Sequence, residues 1–337
     1  MIITRTPFRM SFFGGGTDME SFFRKYGGAV LSTTFDKYCY VNVRHLPRFF
    51  DWSTELTYSK IEKASSVDEI EHPAIRNAMK MLDMHEIRLT YEADLPARSG
   101  LGTSSSFAVG MLNAFYALKG KYADKKRLAD EAIYLERVLC QEAGGWQDQI
   151  AAAFGGMNRI EFNKDGTYDV KPIIIHPDRK RQLNDNLLMF FTGFTRFSSD
   201  LQKANQAGYD EKIKQLQQMY ALVDDAERVL EDKNSDLDDF GRLLDTTWRL
   251  KRQTGGAITT NSIDALYEKG IKAGALGGKL LGAGGGGFLL FYVQPDKQAA
   301  VKEAMKDLLY VPFQFEDGGT RVIHYTPESY IPKEEEE

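Results

Sequence analysis

A glycine-rich turn that leads into a predicted helix is the segment best suited to chemistry. It reads Pro96-Ala97-Arg98-Ser99-Gly100-Leu101-Gly102-Thr103-Ser104-Ser105-Ser106, and the helix pattern starts near Phe107. Its three consecutive serines are good N-cap residues. The unpaired N–H groups and positive dipole of a helix N-terminus attract phosphate, and a hydroxyl beside them can reach Mg²⁺. An ordinary capped helix after a flexible loop fits the spacing equally well.

The carboxylate of Glu136 falls within an apolar stripe. A charge in such a position is costly unless it is paired or binds a metal. We therefore interpret Glu136 as a metal-binding or catalytic residue, with an arginine ion pair as the structural alternative. In a helix over residues 125–141, the neighbours of Glu136 three and four positions away are Ala132, Ile133, Leu139 and Cys140.

A second carboxylate, Asp148, follows the glycine pair Gly144-Gly145 and lies 12 residues beyond Glu136. A carboxylate on a loop shaped by glycines can act as a general base. The alternative is a helix cap, because residues 150–154 have a helical pattern.

A basic residue and three glycines stand near the N-terminus. Arg9 lies in a strand-like run that ends at Gly14-Gly15-Gly16, and Thr17-Asp18 follow. Thr17 and Glu20 have the spacing of a capping box for a helix that ends at residues 27–28. Capping does not require the three glycines, which favour close approach of a ligand to the backbone.

Two common nucleotide-binding motifs are excluded. No Gly-x4-Gly-Lys-Ser/Thr run exists, because Lys279 is followed by leucine and position 273 is alanine. The run 282–287 contains the letters of GxGxxG. It precedes a predicted strand instead of following one into a helix, so the dinucleotide interpretation fails.

The elements that must position these residues alternate between strand and helix patterns, which predicts an α+β layer architecture. The polar stretch 176–181 contains a proline and three consecutive basic residues; we interpret it as a loop and as the domain boundary. Strands are predicted at 38–44, 87–91, 157–162, 170–175, 187–192, 288–293, 311–315 and 321–325, and helices at 107–118, 125–141, 210–231, 236–250, 263–272 and 297–309.

Composition limits the class of protein. The 337 residues carry 43 Lys and Arg against 48 Asp and Glu, a net charge of −5, which gives no basic footprint for nucleic acid. The longest apolar run, 288–293, is far shorter than the roughly 20 residues that cross a bilayer. The N-terminus lacks the apolar stretch of a secretory signal, and two cysteines indicate a reducing compartment. We expect a cytoplasmic protein that binds neither nucleic acid nor membrane, with its oligomeric state left open.

Taken in order, the glycine-rich segments resemble the three motifs of the GHMP kinases, the family of galactokinase, homoserine kinase, mevalonate kinase and phosphomevalonate kinase. The motifs are Pro7-x-Arg9-x4-Gly14-x2-Thr17-Asp18, then Pro96 to Ser104, then Lys279 to Gly287. The resemblance implies a two-domain α+β fold. Residues 1–180 would form an N-terminal ATP-binding domain like domain 2 of ribosomal protein S5, and residues 181–337 a ferredoxin-like C-terminal domain.

The resemblance also implies ATP and Mg²⁺ as cofactors and a role for each motif residue. Ser104 and Glu136 would be the Mg²⁺ ligands and Asp148 the catalytic base, with Arg9 as the basic residue beside it. Nucleotide contacts are implied for Pro96, Gly100, Leu101, Gly102, Thr103, Ser104, Ser105 and Ser106. Contacts with the sugar substrate are implied for Gly14, Gly15, Gly16, Thr17, Asp18, Gly284 and Gly285.

The first motif departs from galactokinase, because Gly15-Gly16 stands where that enzyme has Glu-His. The loss of two side chains makes room for a bulkier or phosphorylated sugar. Residues 14–18, 145–149 and 192–196 most resemble the D-glycero-D-manno-heptose 7-phosphate kinases. That subfamily phosphorylates the anomeric C1 hydroxyl on the way to nucleotide-activated heptose.

A substrate phosphate would require a second basic site, for which Arg196 and Lys279 are the candidates. The structural alternatives are a surface ion pair for Arg196 and support of the glycine loop for Lys279. Another sugar 1-kinase, of the fucokinase or galactokinase type, is the main rival function. The combination of Asp148, Glu136 and Ser104 disfavours a non-catalytic sugar sensor, and Glu136 disfavours an ATP-dependent decarboxylase of the same superfamily.

Overall fold

The structure, a computed structural model, describes residues 1–47, 49–97, 99–193, 212–255, 258–282 and 284–327. Its strands are β1 (Ile2–Phe13), β2 (Gly28–His45), β3 (Thr54–Thr57), β4 (Ile61–Ala64), β5 (Ile87–Ala93), β6 (Asn158–Phe162), β7 (Tyr168–Pro172), β8 (Leu187–Phe191), β9 (Gly277–Leu280), β10 (Phe288–Tyr292), β11 (Leu309–Tyr310), β12 (Phe315–Glu316) and β13 (Arg321–Tyr325). Its helices are α1 (Glu20–Tyr26), α2 (Pro73–Leu82), α3 (Thr103–Leu118), α4 (Lys125–Ile133), α5 (Gln147–Phe154), α6 (Pro177–Asp185), α7 (Ile213–Glu231), α8 (Asp238–Gln253), α9 (Asn261–Lys272) and α10 (Gln298–Ala304). The predicted α+β class is confirmed.

The larger layer within the described ranges is a nine-stranded sheet. Its centre is the antiparallel pair of β1 and β2, which runs from Ile2 opposite Val43 to Phe13 opposite Leu31. β5, β3 and β4 continue the sheet beyond β2, and β6 and β7 extend it from the first residues of β2. Because β1 ends at Phe13, the glycines at 14–16 emerge at one end of this sheet.

Helix α3 lies against β1 and β2 and is buried on nearly every side. Only Ser104 in its first turn is exposed, and Asn113 is half-buried. A helix that is apolar all round belongs in a core, and α3 packs there with α2, α4 and α5. This burial fixes the N-terminus of α3 relative to the sheet.

The smaller sheet has four antiparallel strands in the order β11-β8-β10-β9. β10 is buried on both faces: Leu289 and Phe291 pack with Trp248, whereas Leu290 and Tyr292 pack with Phe240. This arrangement explains why β10 has an unbroken apolar run instead of alternation.

The last strands return to the large sheet, because β12 pairs with β2 and β13 pairs with β1. The segment 315–325 therefore contributes to the sheet that carries the N-terminal glycine segment. The division into residues 1–180 and 181–337 stays a prediction.

Several local predictions are wrong. The stretch 176–181 is not a loop: Pro177 begins α6, where a proline fits the first turn. Arg179 donates to the carbonyl oxygens of Leu230 (3.0 Å) and Ser235 (2.9 Å). The predicted helix over 297–309 ends at Ala304, and residues 309–310 form β11 instead.

The predicted strand over 311–315 is also displaced, since the paired residues are 309–310 and 315–316. Pro312 lies between them and cannot donate a ladder hydrogen bond. None of the helices in the described part of the chain is both long enough and apolar enough to cross a membrane.

Candidate active site

The second glycine segment, which contains Gly100 and Gly102, and the third, which contains Gly282 and Gly287, pack against each other without side chains between them. A Cβ on Gly100 would lie 2.5 Å from the carbonyl oxygen of Leu281, and one on Gly282 would lie 2.3 Å from Cα of Gly100. A Cβ on Gly287 would lie 2.3 Å from the carbonyl oxygen of Ser99. Since no side chain fits at these contacts, glycine is required for the two segments to meet.

The first segment meets the second through Arg9. Its backbone N–H donates to the carbonyl oxygen of Leu101 (3.2 Å), and its Nη1 donates to the carbonyl oxygen of Gly100 (2.8 Å). A Cβ on Gly102 would lie 3.3 Å from Cγ of Arg9 and 3.5 Å from Cγ of Asp148. Three stretches far apart in sequence therefore converge on one place.

The N-terminus of α3 differs from the sequence prediction. The helix begins at Thr103, four residues before the expected Phe107, and Gly102 is its N-cap in the left-handed region (φ 74°) with no capping side chain. The serines lie inside the first turn instead of capping it, and their hydroxyls donate to other partners: Ser106 to the carbonyl oxygen of Pro7 (2.9 Å), and Ser104 and Ser105 to Glu136. A helix end without a side-chain cap and led by glycines suits a phosphate group.

Glu136 is buried and accepts hydrogen bonds from three neutral side chains. Ser104 Oγ donates to its Oε1 (2.7 Å), Ser105 Oγ donates to its Oε2 (2.6 Å), and the amide of Gln149 also donates to Oε2. Its closest arginine nitrogen within the described structure, Nη2 of Arg137, is 4.0 Å away. Glu136 therefore lacks the tight arginine pair of the structural alternative.

The backbone around Glu136 also departs from the predicted regular helix. Residues Tyr134–Leu139 form a π-helical turn after α4. π-turns interrupt the usual i, i+4 spacing and are frequent at functional sites. The apolar stripe inferred from α-helical spacing therefore identified Glu136 as unusual but gave the wrong register for its neighbours.

Asp148 and Arg9 form an ion pair at the edge of a cleft. Nε of Arg9 lies 2.8 Å and Nη2 lies 2.7 Å from the same carboxylate oxygen, Oδ1. The Arg9 side chain is 5% exposed, whereas that of Asp148 is 25% exposed. Asp148 lies in the first turn of α5, whose N-cap is Trp146, so capping does not account for it. The arrangement leaves Oδ2 available to an incoming group.

Asp18 is a second carboxylate on the same cleft. Its Oδ1 accepts from the backbone N–H of Gly16 (2.9 Å) and its Oδ2 from that of Gln147 (3.4 Å). Burial and, to a smaller extent, the charge of Asp148 raise the pKa of Asp18. A Cβ on Gly145 would lie 1.8 Å from Oδ2 of Asp18, so this glycine makes room for the carboxylate.

Positive side chains outnumber the carboxylates in this cleft. Its empty volume, including the part open to solvent, is about 970 Å³. Of the positive residues along the cleft, the sequence pointed only to Arg9 and Lys279. Lys251 was missed because it stands among the basic residues of the segment 249–252, a composition typical of a solvated helix face. The charged residues along the cleft are Arg9, Asp18, Arg137, Asp148, Lys212, Lys251 and Lys279.

The remaining predicted residues have other surroundings. The Thr17 hydroxyl is buried and donates to the carbonyl oxygens of Gly14 (2.8 Å) and Ala29 (2.9 Å). It forms no capping box, because Met19 is the N-cap of α1 and caps without its side chain. Pro96 is exposed, and Arg196 lies outside the described residues.

The third glycine segment also makes contacts of its own. The backbone N–H of Gly285 donates to the carbonyl oxygen of Ile258 (3.0 Å), and a Cβ on Gly284 would lie 2.6 Å from that oxygen. Of the first glycine segment, Gly15 and Gly16 line the cleft, whereas a Cβ on Gly14 would lie 1.9 Å from the carbonyl oxygen of Ala29. Gly14 therefore has a packing role.

The donor set around Glu136 fits a magnesium ion. A carboxylate and a serine hydroxyl 2.7 Å apart are oxygen ligands of the kind that Mg²⁺ prefers, and Mg²⁺ commonly takes its other ligands from water and substrate phosphates. No group of three or more His, Cys, Asp and Glu side chains in the described ranges is arranged to hold a metal without such help. Gln149, which orients Glu136, was missed because an amide next to Asp148 has no distinctive sequence signal.

The chain matches the N-terminal domain of GHMP kinases over residues 69–156 and the C-terminal domain of GHMP kinases over residues 221–311. It therefore belongs to the GHMP kinases. The predicted family resemblance, two-domain fold and kinase class are thereby confirmed.

Two relatives and one solved structure show which kinases the chain is similar to. The chain is 30% identical over 340 residues to D-glycero-alpha-D-manno-heptose 7-phosphate kinase from Campylobacter jejuni, covering 95% of this chain and 98% of that one. It is 30% identical to L-fucokinase/L-fucose-1-P guanylyltransferase from Bacteroides fragilis over 64% of this chain and 23% of that protein. A solved D-glycero-D-manno-heptose 1-phosphate kinase from Bacteroides thetaiotaomicron has the same fold, with a TM-score of 0.78, 24% identity and coverage of 96% and 99%.

Proposed function

We propose that this kinase transfers a phosphoryl group from ATP to the anomeric C1 hydroxyl of D-glycero-D-manno-heptose 7-phosphate. One observation carries the proposal: Asp148, fixed by Arg9, stands beside the glycine-led N-terminus of α3 in a cleft with excess positive charge. Such a cleft suits an anionic acceptor next to nucleotide phosphates bound at the helix N-terminus. The full-length similarity to a heptose 7-phosphate kinase supports this acceptor over an uncharged sugar.

The nucleotide phosphates would bind at the first turn of α3 and the turn before it. The N–H groups exposed at a helix N-terminus and the helix dipole favour the negative charge. Ser104 and Glu136 would hold Mg²⁺, which when bound neutralises charge on the phosphates. Gln149 and Ser105 keep the Glu136 carboxylate in place through their hydrogen bonds.

Asp148 would accept the proton of the C1 hydroxyl as that oxygen attacks phosphorus. Both short contacts from Arg9 go to Oδ1, so Oδ2 is the atom for the proton. The guanidinium holds the carboxylate in place through these contacts and would lie beside the transferred group. A positioned general base typically contributes about 10²–10⁴-fold in rate.

The acceptor sugar would lie between Asp18 and the glycines at 15 and 16. Asp18 is held by two backbone N–H groups and faces the cleft, so it can accept hydrogen bonds from sugar hydroxyls. The absence of side chains at Gly15 and Gly16 leaves space for a seven-carbon sugar. Mg²⁺ dependence and a cytoplasmic location are part of the same proposal.

The experiment is ADP release by the purified chain with ATP, Mg²⁺ and a panel of acceptors. The panel contains heptose 7-phosphate, unphosphorylated heptose, L-fucose and D-galactose. We expect the highest kcat/KM for heptose 7-phosphate. If the chain phosphorylates fucose but not heptose 7-phosphate, its activity is that of a fucokinase. The similarity to the Bacteroides fragilis protein is the observation that favours this second candidate.

A further inference from the structure

One corner of the cleft contains two lysines from the C-terminal half of the chain. Lys251 lies on α8 and donates from Nζ to the carbonyl oxygen of Gly282. Lys279 lies on β9 and donates from Nζ to the carbonyl oxygens of Ser11 (2.8 Å) and Phe12 (2.7 Å). Each ammonium carries three protons, so these contacts leave two on Lys251 and one on Lys279 for a ligand.

The positive charge of this corner is only partly offset by the Asp18 carboxylate on the same cleft, whose charge acts to raise the pKa of Lys251. Neither lysine forms an ion pair within the described part of the chain, and Arg9 beside them is committed to Asp148 and to the carbonyl oxygen of Gly100. Burial, followed by the charge of Arg9, lowers the pKa of Lys251 to about 8. Burial, followed by the charges of Lys251 and Arg9, lowers the pKa of Lys279 well below its usual value. Cations withdrawn from water without an ion-pair partner are costly, and a bound anion would relieve this cost.

An unused hydroxyl lies next to the two lysines. Ser11 is 6% exposed and lines the cleft, and its Oγ has no hydrogen-bond partner in the described structure. A Cβ on Gly15 would lie 3.8 Å from this oxygen, so the hydroxyl points towards the open backbone of the first glycine segment. Buried hydroxyls are normally hydrogen-bonded, and an unpaired one marks a place for a ligand or water.

The corner shares the cleft with Asp18 and the glycines at 15 and 16, where the acceptor sugar would lie. Arg9 and Asp148 line the cleft together with Lys251, Lys279 and Ser11. Ser104 and Glu136, which would hold the metal and nucleotide, are not among the described residues that line it. An anion beside the lysines would therefore belong to the acceptor and not to the nucleotide.

We propose that Lys251, Lys279 and Ser11 form a subsite that binds the phosphate group already carried by the acceptor sugar. The inference rests on the proposed function for the identity of the acceptor, but not for the existence of an anion site. Lys251 provides specificity for a phosphorylated substrate, whereas Lys279 both anchors the end of β1 and donates its third proton. Ser11 contributes a neutral hydrogen bond.

The first test compares acceptors with and without the phosphate in the Lys251→Met variant. A hydrogen bond to a charged group contributes enough to change affinity by about 10- to 100-fold. We expect KM for heptose 7-phosphate to rise by this factor, while kcat/KM for unphosphorylated heptose stays near that of wild type. Lys251→Arg should recover most of the affinity. Lys272→Met, which removes a charge from the exposed last turn of α9, is the matched control.

Equal losses of kcat for both acceptors would overturn the proposal, because Lys251 would then act on the transferred phosphoryl group. Unchanged KM values in Lys251→Met would overturn it as well. Circular dichroism melting of each variant shows whether it is folded. If Lys251→Met is not folded, Lys251→Arg and Ser11→Ala test the proposal instead. In that case we expect Ser11→Ala to raise KM for the phosphorylated acceptor by a few-fold, and no change in it overturns the subsite.

A second test does not depend on turnover. With a non-hydrolysable ATP analogue and Mg²⁺ filling the nucleotide site, binding of inorganic phosphate is measured by calorimetry. Wild type and Lys272→Met should bind phosphate with the same affinity, and Lys251→Met at least about tenfold more weakly. Equal phosphate binding by all three overturns the subsite. Lys251-dependent binding in a protein that does not phosphorylate heptose 7-phosphate supports the subsite and refutes only the proposed function.

Discussion

Asp148→Asn is the substitution that separates chemistry from binding most cleanly. Asparagine has the shape of aspartate, and its amide oxygen can take the place of Oδ1, the atom that accepts from Nε and Nη2 of Arg9 at 2.8 and 2.7 Å. The amide nitrogen then replaces Oδ2 and cannot accept a proton. The variant should therefore retain the local geometry while it loses the base.

The expected loss is in kcat. Removal of a general base costs about 10²–10⁴-fold, which corresponds to about 2.7–5.4 kcal/mol at 1.36 kcal/mol per tenfold change. Arg9 is 5% exposed and loses its charged partner, so we also expect a decrease in unfolding free energy of about 1–3 kcal/mol. The dissociation constant for ATP should remain close to that of wild type, because the nucleotide site does not include Oδ2.

The assay is ADP release at saturating ATP and acceptor, combined with calorimetry of ATP binding and a thermal melt. Asp18→Asn is the matched control, since it makes the same isosteric change at the other cleft carboxylate. There we expect a rise in KM for the acceptor and a much smaller change in kcat. Near wild-type kcat in Asp148→Asn, with a folded protein, would refute the assignment of Asp148 as the base.

Three further predictions concern the metal ligand, the glycine beside Asp18 and the pH profile. Glu136→Gln should raise the Mg²⁺ concentration for half-maximal activity by at least about tenfold, because even changes to residues that only support a metal ligand have effects of this size. Glu142→Gln is the neighbouring control, and an unchanged Mg²⁺ titration in Glu136→Gln contradicts the assignment. Gly145→Ala should raise the acceptor KM, because the new Cβ would lie 1.8 Å from Oδ2 of Asp18 and must displace it; a wild-type acceptor KM with an intact melt argues against this role. The pKa of Lys251 is about 8 and only its protonated form attracts an anion, so kcat/KM for the phosphorylated acceptor should fall as pH rises through about 8. Lys251→Arg should shift this fall to higher pH, and an identical profile in both proteins contradicts the assignment.

Much of the site was accessible from the sequence because its chemistry is unusual at each position. A carboxylate among apolar neighbours identified Glu136. The structure places Ser104 at 2.7 Å from it, and the role of the two as metal ligands stays a prediction. Glycines that precede a helix identified the turn at 100–102. The close packing of Gly100 against Leu281 and Gly282, and the left-handed backbone of Gly102 (φ 74°) beside Arg9, explain why glycine is needed at both positions.

The remaining features depend on long-range contacts that spacing does not reveal. The start of α3 was misplaced because serine hydroxyls, which commonly cap helices, here donate to Glu136 and to Pro7. The pairing of β13 with β1 joins residues more than 300 positions apart, and no local pattern specifies it. Lys251 was overlooked because a lysine in a charged helical run is indistinguishable from a solvated one until the fold places it over Gly282.

The position of the phosphate in the product tests the central claim most directly. Heptose 7-phosphate labelled with ¹³C at C1 is incubated with the chain, ATP and Mg²⁺, and the product is examined by ¹³C and ³¹P NMR. We predict a second phosphorus resonance coupled to the labelled carbon, as expected when Asp148 deprotonates the anomeric hydroxyl. A product phosphorylated at another oxygen, or no product while ATP and acceptor both bind, would contradict the account.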